Sequence, residues 1–258
     1  GGDQAAVKKG ERMTFYGGKS NAVEKRTRVR ARVVSHALRN LIRESEQVLI
    51  VGHEHPDMDA IGAAIGVWKA ANLHNKDAYI VVNEENPSIK HLMEAIYDHD
   101  YLGDTIITGE QALSVCERNT LVVIVDTHRP SMTIEPRLLD KSTRVVVIDH
   151  HRRSEEFVED PVLVYMEPYA SSTCELVTEL LEYQTDHLSM DQLEATALLA
   201  GIVVDTKSFI SRTGSRTFEA ASFLRRHGAN MGLVQTLLKE DLDMFVKRAE
   251  IMRHTETV

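Results

Sequence analysis

Residues 48–63 have the sequence VLIVGHEHPDMDAIGA, and the change of pattern within them predicts the type of fold. Its first part, Val48–Gly52, is a short apolar run typical of strands that are covered on both faces. Its last part, from Ala60 onward, has small and apolar residues that favour a helix. A polar segment with two histidines and two aspartates lies between them. The stretch therefore predicts a β-strand, a loop rich in chemically active groups, and an α-helix, in that order.

The same alternation continues along the chain. Further apolar runs predict strands at Ala78–Val82, Leu121–Val125, Arg144–Ile148 and Val162–Tyr165. Amphipathic segments predict helices at 60–73, 88–97, 173–183, 191–204, 215–226 and, with breaks, 232–253. Strands that alternate with helices form parallel sheets with helices on both faces. We therefore expect an α/β fold: a doubly wound, mainly parallel five-stranded sheet flanked by helices, with a helical C-terminal part.

Three of the predicted strands end in an acid or a histidine. The residues that follow them are His53, Asp126 and the triplet Asp149, His150 and His151. The carboxyl ends of parallel strands meet at one edge of the sheet, where open α/β sheets bind ligands. A further acid, Asp205, follows the apolar helical run 197–204. We expect these side chains to form one cluster, in which Asp149 orients a neighbouring imidazole.

A cluster of this many acids is unfavourable unless cations occupy it. Two divalent ions balance four carboxylates, and neutral imidazoles add nitrogen ligands. Such a mixed oxygen and nitrogen set suits Mn²⁺ better than Mg²⁺ or Ca²⁺, with Zn²⁺, Fe²⁺ and Co²⁺ as alternatives. The sequence thus predicts two divalent metal ions, with Mn²⁺ favoured. The predicted ligands are His53, Asp57, Asp59, Asp126, His150 and Asp205.

Other residues near the motifs have both a structural and a functional interpretation. An acid after a strand is often a helix N-cap, and Asp59 precedes a helical segment. Ser171, Ser172 and Thr173 stand at the start of another helix. Capping is their ordinary explanation, and a substrate phosphate bound at that helix N-terminus is the alternative. Arg129 is a candidate phosphate clamp, although loop arginines are usually solvated.

The composition narrows the classes of function. The chain has 258 residues and a formal net charge of -9, with 43% hydrophobic and 5% aromatic residues. The acidic balance argues against duplex nucleic acid as a partner, and the few aromatic residues argue against a stacking surface for single strands. No apolar run reaches the ~20 residues of a membrane span. Cys116 and Cys174 have no motif spacing, which favours free thiols in a reducing, cytoplasmic setting.

The N-terminal segment differs from the rest of the chain. It contains two Gly-Gly pairs and a basic run, and Arg28–Val33 alternates with a period of two, as in a half-exposed strand. From Val33 to Glu44 the apolar residues follow a helical period, which predicts a connector helix over 35–45. The chain opens on Gly1 without an initiating methionine, so we expect it to be part of a longer protein.

The polar motifs resemble those of the DHH phosphoesterase superfamily. His53–Ala63 resembles the first motif, Asp126 the second, Asp149-His150-His151 the third and Asp205 the fourth. The resemblance implies that His53 and Asp57 hold one metal, that Asp59, His150 and Asp205 hold the other, and that Asp126 bridges them. It also implies that His151 contacts the substrate phosphate and protonates the leaving oxygen. His151 and Asp126 are therefore the expected catalytic residues.

A closer resemblance is to the GdpP-type cyclic-di-AMP phosphodiesterases. It covers Pro56–Gly66, Asp126–Ser131 and Ala170–Val177, and residues 1–19 are similar to the end of a degenerate GGDEF domain. The resemblance implies a GGDEF-like remnant over 1–34, the connector helix over 35–45, a DHH phosphoesterase domain over 46–230, and a helical linker over 231–258 towards a DHH-associated domain. It further implies a parent protein at the cell membrane, held there by segments before residue 1, with this domain in the cytoplasm.

The expected activity is hydrolysis of cyclic-di-AMP, a cyclic dinucleotide, to linear 5′-pApA by a water that two metal ions activate. The first alternative is another hydrolase of the superfamily, such as a short-oligonucleotide exonuclease or a pyrophosphatase. The second is a non-catalytic signalling module that binds a nucleotide or metal. Apolar surface on the last helices would also favour a homodimer.

Overall fold

The computed structural model describes residues 28–83 and 86–239 in full, and the backbone of residues 4–9 and 12–17. Near the N-terminus, β1 (Gln4–Lys9) and β2 (Arg12–Gly17) form an antiparallel pair. The later strands are β3 (Gln47–Val51), β4 (Asp77–Val81), β5 (Ile106–Ile107), β6 (Leu121–Val125), β7 (Arg144–Asp149) and β8 (Leu163–Met166). The helices are α1 (Arg28–Glu44), α2 (Met58–Asn72), α3 (Lys90–Tyr97), α4 (Gly109–Val115), α5 (Leu138–Lys141), α6 (Thr173–Leu181), α7 (Gln192–Asp205), α8 (Ser215–Arg226) and α9 (Met231–Leu237).

Strands β3 to β8 form one parallel sheet in the order β5-β4-β3-β6-β7-β8. The chain builds outward from β3 to β5 on one side and from β6 to β8 on the other. The direction of this winding changes between β3 and β6, and such a switch point opens a crevice at the carboxyl ends of the strands. The predicted α/β fold is confirmed. The sixth strand, Ile106–Ile107, was not predicted because two residues are too short for a recognisable apolar run.

Alternate residues of the central strands enter two separate cores. Val48 and Ile50 pack with α1, α2, α6 and α7 on one face of the sheet. Leu49 and Val51 pack with α4 and α5 on the other face. Successive side chains of a strand point to opposite faces, so a sheet covered on both faces needs an apolar residue at every position. This explains why the strands have continuous apolar sequences.

The extended segment predicted for Arg28–Val33 is wrong, because α1 begins at Arg28. The residues that α1 buries are Ala31, Val34, Ser35, Leu38 and Ile42. Their spacing of three or four residues is that of one helix face. The alternation of basic and apolar residues covers only six positions, and arginine is a good helix former. The longer helical period therefore decides the structure of this segment.

The C-terminal helices agree with the sequence as far as residue 239. Helix α9 ends at Leu237, and the remainder of the helix predicted over 232–253 lies outside the described residues after 239. The short helices α4 and α5 were not predicted, since four to seven residues carry little periodicity. None of the helices within the described ranges combines the length and apolarity needed to cross a membrane.

Helix α2 packs closely against α6 and α7 because glycines line the contact. A Cβ atom built on Gly62 would lie 2.7 Å from the carbonyl oxygen of Ala197 and 2.7 Å from Sγ of Cys174. A Cβ atom on Gly201 would lie 2.5 Å from the same sulfur and 3.0 Å from Cα of Asp59. The absence of side chains at these positions therefore allows α6 and α7 to approach the start of α2.

We expect Gly62→Ala to lower the free energy of unfolding by about 1–3 kcal/mol, because the added methyl group overlaps a backbone oxygen that cannot move freely. At an unhindered helix position the same change usually adds about 0.4–1 kcal/mol. Gly232→Ala, on the exposed side of α9, is the control, because the nearest atom to its added Cβ is not backbone but Oδ1 of the Asn230 side chain, at 3.2 Å. Urea denaturation of both variants measures the difference. Equal stabilities of the two variants would contradict the close-packing explanation.

Candidate functional site

A cavity of about 1130 Å³ opens at the carboxyl ends of β3, β6 and β7, beside the switch point of the sheet. The predicted site residues in its walls are His53, Asp57, Asp126, Arg129, Asp149, His150 and His151. Asp59 and Asp205 lie within ion-pair distance of His150. The fold thus brings together side chains that are as much as 152 positions apart in the sequence, from His53 to Asp205.

The loop after β3 presents His53 and Asp57. Asp57 is the N-cap of α2, and its Oδ1 accepts hydrogen bonds from the backbone N–H groups of Asp59 and Ala60, each at 3.0 Å. The same carboxylate oxygen lies 3.9 Å from Nε2 of His53. The capping role considered for Asp59 therefore belongs to Asp57, and Asp59 lies in the first turn of the helix.

Asp126 lies between two groups of candidate ligands. It directly follows β6 with a φ of 60°, a left-handed conformation that aspartate tolerates better than most residues. Its Oδ2 is 3.5 Å from Nε2 of His53, and its Oδ1 is 3.5 Å from Nε2 of His150. The two oxygens of one buried carboxylate thus face different imidazoles, an arrangement suited to a bridging ligand.

The second group of candidate ligands surrounds His150. Its Nε2 lies 3.8 Å from Oδ2 of Asp59 and 3.3 Å from Oδ2 of Asp205. Asp205 is the last residue of α7. A carboxylate at the C-terminal end of a helix is unfavourable because it faces the negative end of the helix dipole. A nearby cation would offset this cost.

The donor atoms form compact sets that fit divalent metal ions. Within each set the donor atoms lie within 4.8 Å of one another. One set is His53, Asp57 and Asp126, a second is Asp59, His150 and Asp205, and a third is Asp126, His150 and His151. Carboxylate oxygens and imidazole nitrogens are the donors that Mn²⁺, Fe²⁺ and Zn²⁺ accept. The site is therefore a candidate divalent-metal centre.

The electrostatics of the metal-free cluster are unfavourable. Burial, together with the charge of Asp59, raises the pKa of Asp126 to about 7. Burial and neighbouring carboxylates also raise the pKa values of Asp59 and Asp205. Burial lowers the pKa of His53, but hydrogen bonds with Asp126 and Asp57 outweigh it and raise the pKa to about 10. Without a metal, the cluster therefore holds protons where a metal ion would bind.

Asp149 supports the site from behind. Its Oδ1 accepts hydrogen bonds from the backbone N–H and Nδ1 of His151, at 3.0 and 2.8 Å. Its Oδ2 is 2.5 Å from Nδ1 of His128. Burial alone would raise the pKa of Asp149, but the bonds with His151 and His128 lower it to about 2. The hydrogen bond with Asp149 in turn raises the pKa of His151 to about 9.

His128 is a site residue that the sequence reasoning missed. Its Nε2 accepts a hydrogen bond from the backbone N–H of Ser154 at 3.0 Å, so its Nδ1 carries the proton that Asp149 accepts. Its position two residues after Asp126, in the loop that follows β6, could have indicated it. Arg152 and Arg212 also line the cavity. They lie in irregular loops, where periodicity gives no information.

Ser171, Ser172 and Thr173 lie behind the carboxylates and are fully buried. Ser172 caps α6 by accepting a hydrogen bond from the backbone N–H of Glu175 at 3.0 Å. The backbone N–H groups of Thr173 and Cys174 donate to Asp59 at 2.7 and 2.8 Å. Asp59 thus occupies the helix N-terminus that is the alternative position for a substrate phosphate. The structure shows capping here and leaves no backbone donor of this turn for a phosphate.

Arg129 stands at the wall of the cavity, where its Nε donates to Oε2 of Glu156 at 3.1 Å. Glu156 also accepts from the backbone N–H and the hydroxyl of Ser131, each at 2.7 Å. These bonds join the segment after β6 to the segment after β7. The guanidinium therefore has a structural partner as well as access to the cavity.

Residues 47–202 match the family model described as "DHH family, N-terminal domain". The chain belongs to the DHH family. Curated relatives extend the match beyond this domain. The cyclic-di-AMP phosphodiesterase GdpP of Bacillus subtilis is 57% identical over 99% of this chain and 39% of its own length. The cyclic-di-AMP phosphodiesterase PdeA of Listeria monocytogenes is 54% identical over the same shares of the two chains.

The chain therefore spans about two fifths of the length of these curated relatives. Among solved structures, an exopolyphosphatase-related protein from Bacteroides fragilis superposes with a TM-score of 0.72 and 17% identity, over 88% of this chain and 66% of that one. At this low identity the likeness shows that the DHH domain shares its fold with that protein.

We expect the metal-free chain to melt at a lower temperature near pH 8.5 than near pH 6. Folding raises the pKa values of Asp59, Asp126 and Asp205 above the ordinary ~4, so stability is lost as the pH rises towards 7. The raised pKa of His53 acts in the same direction above about pH 6.5. Burial lowers the pKa of His150, which acts in the opposite direction. Burial would raise the pKa of Asp57, but hydrogen bonds with His53 and Ala60 outweigh it and lower that pKa, an effect confined to acidic solution below the range tested.

In excess Mn²⁺ the chain should melt at a higher temperature near pH 8.5 than near pH 6, because metal ligands bind in their deprotonated forms. Thermal unfolding in EDTA and in MnCl₂ at both pH values measures the effect. Asp205→Asn removes one of the titrating carboxylates and should flatten the pH dependence in EDTA. A melting temperature that rises with pH in EDTA would contradict the electrostatic description of the cluster.

Proposed function

We propose that this chain hydrolyses the cyclic dinucleotide cyclic-di-AMP to linear 5′-pApA. The observation that carries the proposal is the position of Asp126, whose two oxygens face two groups of candidate metal ligands beside one large cavity. This is the arrangement that two-metal phosphodiester hydrolysis requires. We infer the substrate from the relatives that are 57% and 54% identical, because both are named cyclic-di-AMP phosphodiesterases.

The proposed cofactors are two divalent ions, and Mn²⁺ suits the mixed donor set. One ion would be held by His53 and Asp57. The other would be held by Asp59, His150 and Asp205, and Asp126 would contribute to both. Such ions supply Lewis acidity, which makes a hydroxide nucleophile available near neutral pH and offsets negative charge on the phosphodiester. The four carboxylates in this set explain why the cluster needs cations before it can accept an anionic substrate.

The protein groups divide the remaining tasks. His151 is half exposed at the cavity, and its Nδ1 forms a hydrogen bond with Oδ1 of Asp149. Its Nε2 is therefore the ring nitrogen that we assign to the substrate phosphate and to proton transfer to the leaving oxygen. Arg129, Arg152 and Arg212 provide positive charge on the cavity wall. A cyclic dinucleotide has a second phosphate, which needs such groups away from the metal centre.

Several properties of the whole protein belong to the same proposal. Residues 1–34 would be the end of a GGDEF-like domain, and 231–258 would lead to a DHH-associated domain. The parent protein would lie at the cell membrane with this domain in the cytoplasm, and it would form a homodimer. The net charge of -9 supports the expectation that duplex nucleic acid is not a partner.

The activity is tested with purified chain, MnCl₂ and four separate substrates: cyclic-di-AMP, pApA, a short single-stranded oligonucleotide and pyrophosphate. We expect cyclic-di-AMP to be converted to pApA with the highest kcat/KM, measured by chromatography of the products. Preferred cleavage of the oligonucleotide or of pyrophosphate would instead assign one of the other DHH hydrolase activities. Binding of cyclic-di-AMP without turnover by metal-loaded chain would indicate a signalling module.

Asp126→Asn should lower kcat by more than the roughly 10–100-fold that removal of a ligand-orienting group costs. Asparagine keeps the shape of the side chain and tolerates the left-handed backbone. The decrease in kcat therefore measures the effect of removing the negative charge of Asp126. Asp140→Asn, an exposed change in α5, is the matched control and should retain wild-type turnover. Turnover by Asp126→Asn near the wild-type rate at saturating Mn²⁺ would exclude the bridging role.

Arg212→Ala should raise KM for cyclic-di-AMP about 10–100-fold, the value of one or two charge-assisted hydrogen bonds, without weakening Mn²⁺ binding. Arg212 lines the cavity but belongs to none of the donor sets. Arg43→Ala, at the exposed end of α1, is the control. Steady-state kinetics decide the result, and an unchanged KM would remove Arg212 from the substrate site.

A further inference from the structure

Thr173 contacts two candidate ligands through two different groups. Its backbone N–H donates to Oδ2 of Asp59 at 2.7 Å. Its hydroxyl donates to Oδ1 of Asp126 at 2.9 Å. Asp59 comes from the start of α2 and Asp126 from the end of β6, so a single residue at the start of α6 connects the carboxylates of two other elements.

The carboxylate of Asp59 is fully fixed by the start of α6. While Thr173 binds Oδ2, the backbone N–H of Cys174 donates to Oδ1 at 2.8 Å. These are the first two backbone N–H groups of the helix, which have no partners inside a helix. Negative charge is favourable at this end of a helix dipole. Asp59 thus has a defined orientation before any metal binds.

The hydroxyl of Thr173 restricts Asp126 in a similar way. It bonds to Oδ1, the oxygen that lies 3.5 Å from Nε2 of His150, and leaves Oδ2 towards His53. Thr173 is completely buried, so water cannot replace a lost hydroxyl without a new cavity. The bond therefore determines which oxygen of Asp126 faces each group of ligands.

This hydroxyl has no role in capping. Ser172 is the N-cap of α6, and its side chain accepts the hydrogen bond from Glu175. Glu175 in turn accepts from the backbone N–H of Ser171 at 3.0 Å and from the hydroxyl of Thr217 at 2.8 Å. The segment before Thr173 is thus held by bonds that do not involve its hydroxyl, and loss of that hydroxyl leaves the helix start intact.

We propose that Thr173 is a positioning residue that sets the relative orientation of the Asp59 and Asp126 carboxylates, and through them the relation between the two metal positions. Asp59 belongs to one donor set, and Asp126 belongs to another set that includes His53. Because Thr173 holds both carboxylates from one rigid helix end, it fixes the two sets relative to each other. This inference rests on the metal centre of the proposed function.

The experiment compares Thr173→Val with Thr173→Ser in the 258-residue chain. Valine keeps the size and branching of the side chain and removes the hydroxyl, and serine keeps the hydroxyl. We expect Thr173→Val to weaken Mn²⁺ binding about 10–100-fold, as removal of other ligand-orienting groups does. Thr173→Ser should bind with near wild-type affinity. Calorimetry without substrate gives affinity and stoichiometry, and electron paramagnetic resonance detects coupling between paired Mn²⁺ ions.

Thr178→Val is the matched control. Thr178 is also buried in α6, and its hydroxyl donates to the carbonyl oxygen of Cys174 at 2.7 Å, away from the ligands. Thr178→Val also removes a buried hydroxyl from α6, and it should leave the Mn²⁺ affinity and the spin coupling between Mn²⁺ ions unchanged. Circular dichroism verifies the fold of each variant. If Thr173→Val does not fold, Thr173→Ala provides the same comparison with a smaller side chain.

Wild-type Mn²⁺ affinity in Thr173→Val, or an equal loss in Thr178→Val, would overturn the proposal. Failure of Thr173→Ser to restore affinity would also overturn it. In kinetics with saturating Mn²⁺, a positioning role predicts a lower kcat with little change in KM. Wild-type chain that binds paired Mn²⁺ but does not cleave cyclic-di-AMP would reject the proposed function and leave the role of Thr173 intact.

Discussion

The repulsion among buried carboxylates governs the structure of this site. Burial and mutual charge raise the pKa values of Asp59, Asp126 and Asp205, so the folded chain places acids where they are least stable as anions. A protein tolerates this cost where cations compensate it. The cost also explains the surrounding framework, because carboxylates that repel one another stay in a fixed geometry only when other groups hold them.

That framework comes from the way α2, α6 and α7 meet. Gly62 and Gly201 have no side chains at the contact, so the start of α2 lies against α6 and the end of α7. This places Asp59 against the N-terminus of α6 and Asp205 beside His150. The packing of these helices therefore sets the spacing of the acidic groups, and a change in the packing alters that spacing.

The hydrogen bonds behind the site complete the arrangement. Asp149 has both oxygens bonded, to His151 and to His128, and Asp59 has both oxygens bonded to the first turn of α6. Buried polar groups stabilise a unique geometry only when all of them have partners. In this protein the groups that face the cavity depend on a second layer of buried donors, and that layer comes from several separate elements.

The amino-acid sequence was enough to predict the parallel α/β sheet and the set of acids and imidazoles at the strand ends, because continuous apolar runs and the residues that follow them are local features. It did not identify β5 or the true start of α1, since short elements carry little periodicity. The folded chain was needed to see that Asp57 caps α2, that His128 supports Asp149, and that Thr173 contacts both Asp59 and Asp126. These contacts join residues from different elements, and the approach of those elements depends on packing that no local pattern in the chain records.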